Sequence, residues 1–407
     1  MKKLSLVIMI LFLLSASIIP AGASGTRLQS LGYLTNFYII DSYNIWLYPS
    51  TIVDYNNKVF MESYTGNPLA EGGINLPINP NTTIGIYLSD QNREIKHVDP
   101  EPGMTMANQQ LDLFAGYRAE QFDIGLHVAR FNNKIDYSDP NDAKNNQSGS
   151  LGSFSVDGGV SFKPNESSRI DAAISYTNRS FSYELGSRDT VKVREPYGHH
   201  SISFTTRYMH SLTEQVVIVP FFNYTYNGAG YEFLVEQVLI TNNIHTFLEK
   251  QNILNLGVGF NIVPRERVLV TCAAGMVRQS STTETSLFTG TPPVAAENTY
   301  SALPFVNIGV EADLLKWLGF RLAMYKLMEK MTQKSPVDNT TLDQYDEYFN
   351  QYSALLGIYF RFGRLKIDAL LDTNNAANFL HNGPYILSGK DYSGTNLFTR
   401  VSLIYGF

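Results

Sequence analysis

The chain has 407 residues, enough for two ordinary soluble domains or one large closed barrel. It carries 25 Tyr, 24 Phe and 30 Gly but only 17% charged residues, a balance that suits strands and turns better than stacked amphipathic helices. With 31 basic against 37 acidic side chains it is mildly acidic, which argues against nucleic-acid binding, and the single Cys272 excludes an internal disulfide.

Lys2 and Lys3 precede the apolar run LSLVIMILFLL, which is followed by the small-residue site Ala21-Gly22-Ala23. This pattern predicts a secretory signal peptide over 1–23. No later run of about 18 apolar residues could form a spanning helix. A membrane-spanning structure must then be a closed barrel, because every backbone group in lipid needs a partner.

Residues 24–78 do not alternate. The stretch LGYLTNFYIIDSYNIWLYPSTIVDY mixes aromatic, apolar and turn residues without a strand of spanning length, which predicts a plug folded inside the barrel. Its candidate functional residues are Asp41, Asn44, Trp46, Tyr48, Pro49 and Ser50. Here the chain resembles the long-chain fatty-acid transporter family of fourteen-stranded outer-membrane barrels. The matching positions are Gly32, Asp41 and Tyr48-Pro49-Ser50, with Tyr and Ser where that family has the Asn and Ala of an Asn-Pro-Ala motif. The resemblance implies a transport-type barrel with an N-terminal hatch.

From 79 to 407 the pattern has period two. In QNILNLGVGFNIV, Leu254, Leu256, Val258, Phe260 and Ile262 oppose Asn255, Gly257, Gly259 and Asn261. Similar strands of about 9–12 residues recur, the length a tilted strand needs to cross a bilayer. Short turns alternate with long polar stretches near 132–154, 180–198, 227–250, 279–299, 329–348 and 373–395, the layout of an outer-membrane barrel. Counting back from the end predicts an all-β antiparallel barrel of about fourteen strands, twelve to sixteen being possible, with the first near 81–88. NKVFMESY (57–64) could raise the number by two.

Pro220 interrupts the strand EQVVIVPFFNYTYN, so a bulge or local break is expected there. Val217, Val219 and Phe221 would face inward beside it. In the resembled family a kinked strand opens a lateral route for apolar substrates, which makes Pro220 a candidate opening.

The inferred lumen face carries both signs of charge, including Asp112, Arg118, Asp171, Arg207, Arg267, Glu311, Arg321, Arg361, Lys366, Asp368 and Arg400. Interspersed signs favour internal ion pairs over a single-sign selectivity ring. His199 and His200, with Glu195 nearby, are the only hint of a hydrolase. There is no zinc spacing, phosphate-binding loop or nucleophile elbow, so no catalytic, cofactor or metal site is expected.

The chain closes on FTRVSLIYGF, with Val401, Leu403, Tyr405 and Phe407 on one face. In lipid this edge would seal the barrel, and it resembles the C-terminal signal read by the outer-membrane assembly machinery. The expectation is an exported barrel of a Gram-negative outer membrane that passes small hydrophobic solutes by binding and passive diffusion. A structural or secretion-associated barrel binding protein partners through its extracellular loops is the alternative.

Overall fold

The computed structural model describes residues 25–64, 70–89, 104–137, 147–185, 190–194, 199–237, 240–286, 294–336, 342–371 and 398–407. The expected signal peptide lies outside them, as does Glu195. The strands are β1 (Lys58–Tyr64), β2 (Ala70–Asn79), β3 (Thr82–Ser89), β4 (Met104–Arg118), β5 (Phe122–Tyr137), β6 (Gln147–Asn165), β7 (Ser168–Leu185), β8 (Thr190–Arg194) and β9 (His199–Thr213). They continue as β10 (Val216–Gln237), β11 (Ile240–Arg265), β12 (Val268–Ser286), β13 (Val294–Asp313), β14 (Leu318–Pro336), β15 (Leu342–Phe362), β16 (Leu365–Leu371) and β17 (Phe398–Gly406).

Every strand pairs antiparallel with its neighbours, and β1 pairs with β17, so the sheet closes on itself. β8 and β9 lie end to end between β7 and β10, so the seventeen segments occupy sixteen places around the barrel. Sixteen is the upper end of the expected twelve to sixteen, two more than the central count of fourteen. The two additions are β1 and β2, which fall within the 24–78 segment expected to be plug. The plug ends before Lys58, and the closing strand pairs with 58–64 rather than with 81–88.

β2 was hidden by its breakers. Gly72, Gly73 and Pro77 break its alternation, yet Gly73 is required because a Cβ there would stand 2.2 Å from the Tyr87 ring. Pro77 sits next to a register shift at the strand's end. Many strands also outrun the expected 9–12 residues. β11 has 26, and much of the sequence read as long connections at 227–250 belongs to β10 and β11.

The outer surface is apolar. Ile308, Met324, Leu88, Ile174 and Leu126 all point outward and are exposed, at 54% and 62% for the first two. In water such a belt would be an aggregation surface, whereas a transmembrane barrel needs one facing lipid. Aromatic side chains bound it near the short turns, where Phe122 stacks on Phe162 with ring centroids 4.8 Å apart and Trp317 on Phe360 at 6.2 Å. Further along β15, Tyr348 and Tyr352 are exposed with Lys330 and Lys326 over their rings. Tyr405 and Phe407 also face outward, and Leu403 is half-buried on the same face, while Arg400, Ser402 and Ile404 are buried inside. The Phe407 amide donates to the Asn57 carbonyl at 3.1 Å, tying the last residue to the seam.

Candidate functional site

Residues 25–57 fill the lumen. They form two helical turns (Gly25–Ser30 and Thr35–Tyr38) and two 3-10 turns (Ser42–Trp46 and Pro49–Asp54). Such short turns have little stability alone, so the wall must hold them. It does so by shape and by charge.

The shape match depends on wall glycines. A Cβ at Gly125 would lie 2.2 Å from the Pro49 carbonyl carbon and the Ser50 nitrogen, and one at Gly259 would lie 2.4 Å from the Tyr38 ring. Pro49 begins its 3-10 turn, a place where a missing N–H costs nothing. The Ser50 hydroxyl lies 2.8 Å from that of Ser161 on β6.

The charges form a continuous network. Asp41 caps the first 3-10 turn, accepting from the Tyr43 amide at 2.9 Å, while the Asn44 side-chain oxygen accepts from the Asp41 amide at 2.8 Å. This is a capping box, which joins two otherwise orphaned backbone donors to side chains. Asp41 also pairs with Arg27 at 2.8 Å, and Arg27 reaches Glu311 of β13 through two nitrogens at 2.8 and 3.1 Å. Glu311 continues to Arg321, which meets Asp368 at 2.5 Å, and Lys366 stands 3.5 Å from Asp368. On the opposite wall Arg207 donates to Asp171 at 2.8 Å, to the Asn44 side-chain oxygen at 3.1 Å and to the Ile39 carbonyl at 3.3 Å. Its guanidinium covers the Tyr48 ring at 4.4 Å.

Arg400 pairs with Glu62 of β1 at 2.5 Å, and Glu62 accepts from the Thr26 amide at 2.8 Å. Arg361 reaches Asp313 at 3.5 Å near the short-turn rim. Arg267, expected in the lumen, is exposed in the turn between β11 and β12 instead. Burial pushes the Asp41 carboxyl above its ordinary range against the opposing pull of Arg27. Burial likewise raises the Tyr38, Tyr48 and Tyr55 hydroxyls, which keeps them neutral.

Two cavities flank the plug. One, of about 490 Å³, opens toward the long-connection end, with Phe37, Trp46 and Leu47 of the plug as its floor. The other, of about 510 Å³, lies toward the short turns and is lined by Ile40, Arg207, Met209 and Val217 among others. β9 and β10 wall both. Between the cavities Phe37 stacks on Phe221 with ring centroids 5.3 Å apart, and Tyr38, Val219 and Met209 complete a buried apolar seam. The ladder between β9 and β10 is interrupted there. Ile218 pairs with His210 and Phe221 with Arg207, but Val219 and Pro220 pair with nothing on β9. Pro220 lacks the N–H, and its register with β11 is unbroken, so the defect is a local break and not a bulge.

One cluster was not foreseen. His127 on β5 lies between Asp112, at 3.0 Å, and Asp157, stacks on Phe114, and meets the edge of Trp46. The register places Phe114 and Asp157 directly opposite it, and its parity matches that of Asp123, the one signal the sequence held. His199 lines the first cavity, while His200 stands beside Tyr226 with ring centroids 5.8 Å apart. Among the described residues no group of three or more His, Cys, Asp or Glu could hold a metal ion.

No protein-family model matches the sequence, and no curated protein matches it. Among solved structures, the chain is similar to the Pseudomonas putida toluene transporter TodX at 10% identity, covering 95% of this chain and 98% of that one with a TM-score of 0.45. It is similar to the CymD monoaromatic hydrocarbon channel at 10% identity, with 95% and 98% covered and a TM-score of 0.40. The ferric yersiniabactin uptake receptor FyuA from Yersinia pestis is 8% identical, with 85% and 79% covered and a TM-score of 0.43. All three scores fall below 0.5, so the chain's own geometry carries the functional reading.

Proposed function

We propose that the protein is a plugged channel of a Gram-negative-type outer membrane that passes small hydrophobic solutes by binding and passive diffusion. The observation that carries this reading is the apolar seam of Phe37, Tyr38, Met209, Val219 and Phe221, which joins the two cavities along β9 and β10. An ion crossing there would lose its hydration without gaining a partner, whereas an apolar solute loses little. The buried lumen charges pair across the wall or with the plug, and both signs are interspersed, so they form no single-sign filter.

In this mechanism a solute settles on the vestibule floor and slips past the Phe37–Phe221 stack as the rings move. It then leaves into the lower cavity or sideways through the break at Pro220. The short turns face the periplasm, and Leu403, Tyr405 and Phe407 serve as the assembly address. This reading makes the protein a transporter without catalytic residues, and its resemblance to the long-chain fatty-acid transporters lies in the hatch and the broken strand.

The test uses cells that lack other routes for hydrocarbons. Those expressing the protein should accumulate labelled toluene faster than cells without it, and Phe37→Ala should quicken uptake further. Equal uptake with and without the protein would sink the proposal.

A further inference from the structure

The vestibule is not uniformly apolar. Its floor is, but its wall along β9, β10 and β11 is built from uncharged hydrogen-bonding side chains. Asn227 donates to Gln251 at 2.8 Å, Thr225 to Ser203 at 2.9 Å, Asn223 to Thr205 at 2.8 Å, and Asn255 to Asn223 at 2.9 Å. This is a cross-strand polar lattice covering three adjacent strands.

The lattice leaves capacity facing the cavity. Each amide has two hydrogens and two lone pairs, and each hydroxyl can accept as well as donate. The Gln251 amide nitrogen and the Asn227 carbonyl oxygen are not used within the lattice. At the same rim, His199 Nδ1 is buried and has no hydrogen-bond partner. Charge is peripheral and mixed. Arg179 and Glu249 stand at the margin, and Asp157 is already held by His127 and Ser175.

A cavity of about 490 Å³ falls within the range of small-molecule sites, and such sites pair an apolar surface with a few directed polar groups. A bare hydrocarbon would use only the floor. A charged solute would meet side chains of both signs, Arg179 against Asp157 and Glu249, and no field of one sign to favour it. The combination fits a molecule with one flat apolar face and several neutral hydroxyls.

We propose that the vestibule above the plug selects uncharged, polyhydroxylated solutes that carry an apolar face, of which an aryl glycoside is the simplest chemical type. The apolar face lies on Trp46, Phe37 and Leu47, and the hydroxyls replace water on Thr225, Asn227 and Gln251. This selection rests on the passage reading, since it describes what the channel admits to its apolar seam.

The chain has two tryptophans, Trp46 and Trp317, so Trp317→Phe leaves Trp46 as the only indole reporter on the vestibule floor. The full chain with this substitution, refolded in detergent, is titrated with phenyl β-D-glucoside, with benzene and with phenyl phosphate. The glucoside should shift Trp46 emission saturably and bind more tightly than phenyl phosphate. Thr225→Val and Gln251→Leu, each at a half-buried wall position, should weaken the glucoside about five-fold and leave benzene unchanged. Heat-modifiable gel mobility establishes that each variant is folded. Glucoside binding that neither variant weakens, or phenyl phosphate binding as tightly, would overturn the inference. If the glucoside fails to bind while toluene uptake by cells persists, the wall's selectivity falls and the passage reading stands. If toluene uptake is also absent, both fall.

Discussion

Arg27 of the plug and Glu311 of β13 meet through two parallel contacts, Nε to Oε2 at 2.8 Å and Nη2 to Oε1 at 3.1 Å. This fork geometry suits guanidinium and carboxylate, and both partners are largely buried. The same Arg27 holds Asp41, so one side chain ties the capped turn to the barrel wall.

Removing one member of a buried pair leaves an uncompensated charge, at a cost of about 3–5 kcal/mol. Arg27→Gln should therefore loosen the plug without unfolding the barrel. Planar-bilayer recordings should show frequent open events that the parent lacks, with unchanged heat-modifiable mobility. A variant as quiet as the parent would show that this tether does not hold the plug.

Gly125 tests the shape match independently of charge. Gly125→Val places carbon where the Pro49 and Ser50 backbone already stands, and backbone cannot rotate away as a side chain can. Overpacking of this kind costs about 1–3 kcal/mol or more. Protease added from the short-turn side should cut within 25–57 in the variant, and resistance equal to the parent would refute the close seat.

Pro220→Val restores the missing N–H opposite Tyr208 and should let the β9–β10 ladder close. Toluene uptake by cells should fall several-fold while the amount of folded protein stays the same. Unchanged uptake would remove the lateral exit from the mechanism and leave only the route through the lower cavity.

Phe407→Ala separates addressing from stability. Its side chain is exposed to the outside, and its backbone contact with Asn57 survives the substitution. Purified protein should refold from urea as the parent does, while the amount assembled in cells drops. A parallel loss in both measurements would make Phe407 structural.

Much of the barrel is legible in sequence because a period of two needs no knowledge of neighbours. The parity of Val401, Leu403 and Tyr405 against Arg400 and Ser402 is the facing seen in the structure. β1 was harder. It has only seven residues, and its inward Lys58, Phe60 and Glu62 contact the plug and its barrel neighbours rather than repeating a polar–apolar code. The plug could be located but not built, since Asp41 and Asn44 read as turn residues until Arg27 and Arg207 arrive from 14 and 163 positions away. His127 depends on two registers at once, which no single stretch encodes.

The length of the tall strands has a consequence for delivery. On β15, the exposed Tyr352 and Phe362 are separated by ten positions (352 to 362), about 25 Å along the axis at a tilt of about 40°, which matches the hydrocarbon thickness. β15 continues for ten residues before Tyr352, back to Leu342, so the strand outruns that span toward the long-connection end. The barrel is thus a chimney as well as a pore. In the proposed passage, a solute taken in at the long-connection end travels inside a walled shaft before it meets the apolar seam.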